Sequence, residues 1–307
     1  LPLQKKVKVK VAFCPERLAE GNAIEECRSI PVVIGGIDDE SGDMAVQFWQ
    51  DSLGVECIKV KNARAAELVK LADNAWIDLN IALAFELAKV SDFLEIDVHE
   101  VIKAANSLPK GDHHVNVLLP SLGVGGYCLT KDPLFLSAFA QSFGSSFKTA
   151  STSREVNDES PIYAANRLHN ALIKQFPNTK SQEKTIGILG LAFKNNTGDC
   201  RFTPTLPAIK HLVNLGYQLK VYDHYLSDKD YLKFEGVTKV NSINQVLQNS
   251  HAVAFFTGHE RFKKIQIQDF RNLLKPGAVI FDGRMFFSQK EVSKFKNSGF
   301  IFKGIGR

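Results

Sequence analysis

The sequence predicts an α/β protein in three parts: the tail of one α/β domain, a middle built on a long helix, and a doubly wound parallel sheet toward the C-terminus. Three observations carry this reading. Up to about residue 60, β-rich runs alternate with a helical stretch. From 63 to about 106, apolar residues recur at helical spacing with no Gly or Pro. From 184 onward, short apolar runs recur between helical segments, which is the βαβ pattern of a parallel sheet.

In chain order, residues 7–13 (VKVKVAF) read as an edge strand, and 30–36 and 55–60 as further strands, with a helix over 42–52. The stripe Leu68, Leu71, Ala75, Leu79, Ala82 marks the long helix, followed by a shorter one after Asp97. Helical pattern resumes over 133–143 and 161–176, with Pro161 suited to a first turn. Residues 184–192, 218–222, 251–256, 278–281 and 299–302 then read as buried strands, with a helix over 204–215.

Composition narrows the function classes. At 307 residues, 44% hydrophobic and 23% charged, the chain suits a soluble multi-domain protein rather than a disordered one. Its 38 Lys+Arg against 33 Asp+Glu give 38 − 33 = +5, and dispersed basic residues argue against nucleic acid while suiting a small phosphorylated substrate. No apolar run approaches the ~20 residues of a membrane span, and no signal peptide is present, so a cytoplasmic protein is expected. Five cysteines with no C-x-x-C pair indicate neither a disulfide framework nor a zinc knuckle, and leave room for one reactive thiol. His113 and His114 lack a third ligand at metal spacing, so no metal site is expected. The chain opens without Met, directly in a strand, and reads as a fragment.

The most informative stretch is 119–133, LPSLGVGGYCLTKDP. Gly123, Gly125 and Gly126 permit close approach of backbone to a ligand. Cys128 and Asp132 share a face if a helix begins there, and a thiolate at a helix N-terminus is stabilised by unpaired N–H groups and by Lys131. A buried cysteine in a turn is the alternative. On the long helix, Lys70 and Asn74 are also four apart, and Asn inside a helix costs stability, so a polar pair on an apolar stripe suggests a site; a solvated Lys is the alternative. Glu16 and Glu20 sit in a loop after a strand, where two carboxylates would handle protons or water, or simply form an exposed acidic loop. In 187–194 (GILGLAFK) the glycine spacing is a degenerate match to a dinucleotide fingerprint, yet its place after a strand argues for a nucleotide, with Lys194 available for phosphate.

Four segments in order resemble the UDP-glucose/GDP-mannose 6-dehydrogenase family. They are CPERLAEG at 14–21 with IGG at 34–36, AELVKLADN at 66–74, GGYCLTKD at 125–132, and GLAFKNNTGDCR at 190–201 with FDGR at 281–284. REVND at 154–158 and VNV at 115–117 are similar to the branch acting on UDP-N-acetyl-D-mannosamine, although His114 stands where that branch usually has arginine and Asn195 where proline is frequent. The resemblance implies residues 1–61 as the C-terminal remnant of an NAD-binding Rossmann domain, 62–156 as a central helical dimerisation domain, and 157–307 as a Rossmann-like UDP-sugar-binding domain. About 120 family residues holding the true glycine fingerprint are absent. It further implies oxidation of a UDP-sugar C6 alcohol to the acid by two hydride transfers to NAD. Cys128 would act as nucleophile, Asp132 with Glu16 or Glu20 would activate water, and Lys70 and Asn74 would stabilise negative charge on oxygen. Gly125, Phe193, Lys194, Arg154 and Arg284 would bind substrate, and Lys131 and Arg201 the cofactor. A homodimer through the central helix is expected, with the fragment itself inactive. Two other readings stay open: a non-catalytic UDP-binding or oligomerisation fragment, and another NAD-dependent dehydrogenase of hydroxyacid type.

Overall fold

The computed structural model describes residues 9–307, so the first residues of the expected edge strand lie outside the described residues. The chain divides into two compact units, and the division falls between Trp76 and Ile77.

In the first unit, β1 (Ala12–Phe13) runs antiparallel to β2 (Val32–Gly36), which is parallel to β3 (Cys57–Lys59). The described part of the expected 7–13 strand is thus paired only at its last two residues. Helix α1 (Ala23–Ser29) precedes β2, and α2 (Asp39–Leu53) follows it. The Asp38 carboxylate accepts from the Ser41 N–H at 2.7 Å to start α2, and Gly54 in the left-handed region (φ 65°) ends it. Helix α3 (Ala63–Leu94) then begins; its 32 residues span about 48 Å.

In the second unit, the remainder of α3 is followed by α4 (Val98–Ala105), whose N-terminus is capped by Asp97. A two-stranded ribbon that the sequence did not signal, β4 (Pro109–Lys110) and β5 (His113–His114), comes next. Helices α5 (Tyr127–Ser142) and α6 (Lys148–Gln175) correct two expectations, because neither starts at its proline. A proline inside a helix frees the carbonyl four residues earlier, which needs another donor. For Pro133 that carbonyl is Leu129, reached by an Arg154 guanidinium nitrogen at 3.5 Å; for Pro161 it is Asn157, met by the Ser160 hydroxyl at 3.1 Å. With the carbonyls met, both helices run through.

The C-terminal sheet comprises β6 (Thr185–Leu189), α7 (Thr205–Asn214), β7 (Gln218–Tyr222), α8 (Asp228–Tyr231), β8 (Val237–Lys239), α9 (Ile243–Leu247), β9 (Ala252–Phe255), α10 (Ile267–Leu273), β10 (Val279–Asp282), α11 (Gln289–Asn297) and β11 (Ile301–Gly304). All pairings are parallel, in the order β11-β10-β9-β6-β7-β8. This is the doubly wound sheet the apolar runs predict, with its topological switch between β6 and β9. Alternation along the strands feeds two cores: Ile186, Ile188, Ala254 and Phe281 face a cluster shared with α6 and α7, whereas Leu189, Phe255 and Ile280 join Phe262, Phe270 and Phe295 on the other side. Gly187 has no room for a side chain, since a Cβ there would lie 2.5 Å from Val246 of α9.

Candidate active site

The residues expected to act chemically fall in both units. In the first, the loop after β1 is tied to α3 by two ion pairs, Arg17–Asp73 at 3.4 Å and Glu16–Lys70 at 3.8 Å. Arg17 also donates to the Pro31 carbonyl at 2.9 Å, which anchors the loop beside β2. Lys70 is therefore half-buried beside a carboxylate rather than a freely solvated lysine, and Asn74 one turn further on is buried. Glu20 is exposed.

In the second unit, Cys128 is the second residue of α5 and is exposed, while Asp132 one turn later is buried with Lys131 Nζ 2.6 Å from its carboxylate. Gly126, at φ 83°, lets the chain turn into α5, and its N–H donates to the Arg201 carbonyl at 2.9 Å. The Gly-rich loop is pressed onto Phe193: a Cβ on Gly125 would stand 2.4 Å from Phe193 Cβ, and one on Gly126 2.9 Å from its ring. Glycine is required here by contact as well as by conformation, and this fixes the thiol's loop against the residue next to Lys194. Arg201 lies over the Tyr127 ring at 5.1 Å and is paired with Asp199, with Nε 2.8 Å from a carboxylate oxygen.

A cleft of about 660 Å³ opens beside these groups, lined among others by Tyr127, Lys131, Arg154, Asp158, Phe202 and Pro204. Its wall at Arg154 is built, not incidental. Arg154 is buried; one guanidinium nitrogen lies 2.5 Å from the Asp78 carboxylate and another meets Asp158. Asp78, with no exposure, also accepts from Ser153 and from Asn157, each at 2.8 Å. Arg154 thus spends its donors within the protein. The sequence reading missed Asp78, although a carboxylate four residues after Asn74 in an apolar stretch of helix was a signal.

At the carboxyl ends of the strands, Lys194 follows β6 and Arg284 follows β10. Asp282 is fully buried and accepts the N–H groups of Arg284, Phe286 and Phe287 at 2.9–3.1 Å, with Arg307 Nη1 at 3.3 Å. Burial, partly offset by Asp282, brings the Arg284 guanidinium down to about 10, which leaves it cationic at neutral pH. Asp223 and His259, both buried and 3.0 Å apart, lie under the loop that carries Lys194; sequence reasoning did not find them. Among the described residues no cluster of His, Cys, Asp and Glu has the makings of a metal site, and no helix is long and apolar enough to cross a membrane.

Two family descriptions match the sequence: the central domain of the UDP-glucose/GDP-mannose dehydrogenase family over residues 64–159, and the UDP binding domain of the same family over 187–289. Among curated relatives, UDP-N-acetyl-D-mannosamine dehydrogenase of Methanocaldococcus jannaschii is 31% identical over 271 residues, covering 88% of this chain and 58% of the relative. NDP-N-acetyl-D-galactosaminuronic acid dehydrogenase of Ralstonia nicotianae is 32% identical over 287 residues, covering 93% and 63%. A solved structure of UDP-D-ManNAc dehydrogenase from Pyrococcus horikoshii superposes with a TM-score of 0.83 at 31% identity, covering 99% of this chain and 66% of that one. The chain therefore spans between 58% and 66% of the length of these proteins. Its parallel sheet, its helical middle and both matched segments agree, and the chain belongs to the UDP-glucose/GDP-mannose dehydrogenase family.

Proposed function

We propose that this chain serves the NAD-dependent, cytoplasmic oxidation of a UDP-sugar C6 alcohol to the carboxylate, with UDP-N-acetyl-D-mannosamine the preferred substrate and UDP-glucose an alternative. Residues 1–61 would belong to the NAD-binding domain, 62–156 to the central domain and 157–307 to the UDP-binding domain. The observation that carries the reading is the contact of Phe193 with Gly125 and Gly126, which ties the loop bearing Cys128 to the loop bearing Lys194. Two loops held to one another, one bearing a thiol and the other a phosphate-seeking cation, suit a substrate with a diphosphate at one end and a carbonyl to be captured at the other.

Lys194 and Arg284 would hold the diphosphate, with Phe193 and Gly125 shaping the approach and Arg154 supplying the cleft wall. An aldehyde captured by the Cys128 sulfur forms a thiohemiacetal, and its oxidation leaves a thioester. Asp132, aided by Glu16 or Glu20, would take a proton from the water that releases the acid. Each step develops negative charge on the C6 oxygen, the role assigned to the Lys70 ammonium and the Asn74 amide. NAD, when bound, supplies the hydride acceptor. The residues expected to hold it are chemically suited to a pyrophosphate: the Lys131 and Arg201 side chains are about half exposed, at 51% and 47%. Each already faces a carboxylate, so anion binding exchanges an internal partner for a phosphate.

The test is product stoichiometry in a protein matching the relatives' full length. Two NADH should form per sugar oxidised, Cys128→Ala should form no acid, and Cys128→Ser should accumulate an ester because an alkoxide leaves less readily than a thiolate. Ordinary turnover by the Ala variant would remove the covalent route.

A further inference from the structure

The loop from 190 to 196 is held on both sides of Lys194, and the Asn195 and Asn196 side-chain oxygens also accept the Gly258 and Glu260 N–H groups at 2.8 and 2.9 Å. On the near side, the Leu191 and Ala192 N–H groups donate to one Asp223 carboxylate oxygen at 2.8 and 3.2 Å, and the Thr257 hydroxyl donates to the Ala192 carbonyl at 2.6 Å. On the far side, the chain reverses at Asn196, in the left-handed region at φ 58°, and the Asn196 N–H donates to His259 Nδ1 at 2.8 Å. A backbone N–H can only donate, so Nδ1 must accept and the imidazole proton must sit on Nε2, where it faces Asp223 at 3.0 Å. His259 is fully buried among His224, Tyr225 and Phe262, whose rings lie 5.0–5.2 Å away. One buried carboxylate and one buried imidazole thus grip both flanks of the segment from which Lys194 projects. Such polar burial is costly unless fully satisfied; one Asp223 oxygen accepts the Tyr225 N–H at 3.0 Å, and the pair's other outward bonds go to that loop.

We propose that His259, braced by Asp223, is a positioning residue that sets the path of the 193–196 segment so that Lys194 meets the diphosphate of the nucleotide. This rests on the reading of Lys194 as a phosphate ligand. His259 touches no substrate; it acts through Asn196, and its effect on binding is transmitted by Lys194.

The experiment is a double-mutant cycle on the 307-residue chain, with UDP titrated calorimetrically into wild type, H259F, K194A and the double variant. H259F keeps the ring and loses both bonds. It should weaken UDP binding about tenfold in the wild-type background, the scale of a misdirected charge-assisted contact, and by less than about twofold once Lys194 is already removed. H259N, whose amide oxygen can face the Asn196 N–H, should recover most of the loss; if H259F does not fold, H259Q, which reaches Asp223 but not Asn196, takes its place in the cycle. Additive losses from the two sites, or unchanged affinity in H259F, would reduce the pair to an ordinary core contact and overturn the proposal. Failure of the wild type and every variant to bind UDP would instead strike the functional reading on which it rests.

Discussion

Replacing Asp78 by alanine should be among the most damaging single changes in the second unit. Asp78 has no exposed surface and neutralises a guanidinium that is itself buried. Removing the carboxylate strands Arg154 with Asp158, whose side chain is 70% exposed, and the Leu129 carbonyl at a long 3.5 Å. It also takes an acceptor from the Ser153 hydroxyl and the Asn157 amide. Breaking a buried pair from one side costs about 3–5 kcal/mol, because the surviving charge is left in a poor dielectric. With a urea slope of about 2–3 kcal/mol/M, the unfolding midpoint followed by circular dichroism should fall by about 1 M or more. The pair replaced together, D78L/R154M, should recover much of the loss, since neither charge is then stranded. A midpoint shift below about 0.3 M for D78A, or a double variant no better than the single, would show that the network does not carry the α3–α6 junction.

Three further outcomes follow from burial and charge. Burial, helped by the nearby Asp223 carboxylate, pushes the Cys200 thiol up to about 12, whereas Cys128 is exposed; iodoacetamide at pH 8 should label Cys128 in the native protein and Cys200 only in urea, and equal labelling would contradict the fold around the 190–201 loop. Burial lowers His169, His224 and His251 below the ordinary histidine value. The unfolded chain then binds more protons just below about pH 6.5, so the urea midpoint should fall from pH 8 to 6, and a flat or rising profile would refute the assignment. Helix α3 exposes Leu68 (53%), Leu79 (42%) and Leu83 (45%), and a two-fold pair of such helices would cover them; light scattering at micromolar concentration should report twice the 34.1 kDa chain mass, and a monomer would remove that interface.

Much of the architecture was legible in the sequence because its signals are local. The α3 periodicity and the apolar runs of β6, β9 and β10 each state their structure within one window of residues. The three-residue strand β8 was not legible, since Thr238 and Lys239 are exposed and no apolar run marks them. Pro161 misled because its compensation is a through-space detail: the Ser160 hydroxyl replaces the donor that proline lacks, which spacing does not encode. The site divides the same way. Cys128 and Lys194 stand out as residue types in a glycine-rich or strand-end context. Asp78 and Arg154 are 76 residues apart in sequence, and Asp223 and His259 are 36 apart, so their partnership is visible only once the chain has folded.

The proposed function turns on a nucleoside-diphosphate site at the C-terminal sheet. Its most direct test is titration of UDP and, separately, NAD into the 307-residue chain by calorimetry. A saturable heat of one UDP per chain, diminished by K194A, is expected, with little heat from NAD and little NAD reduction when a UDP-sugar is added. Tight binding of NAD with no binding of UDP would contradict it and reverse the assignment of the sheet.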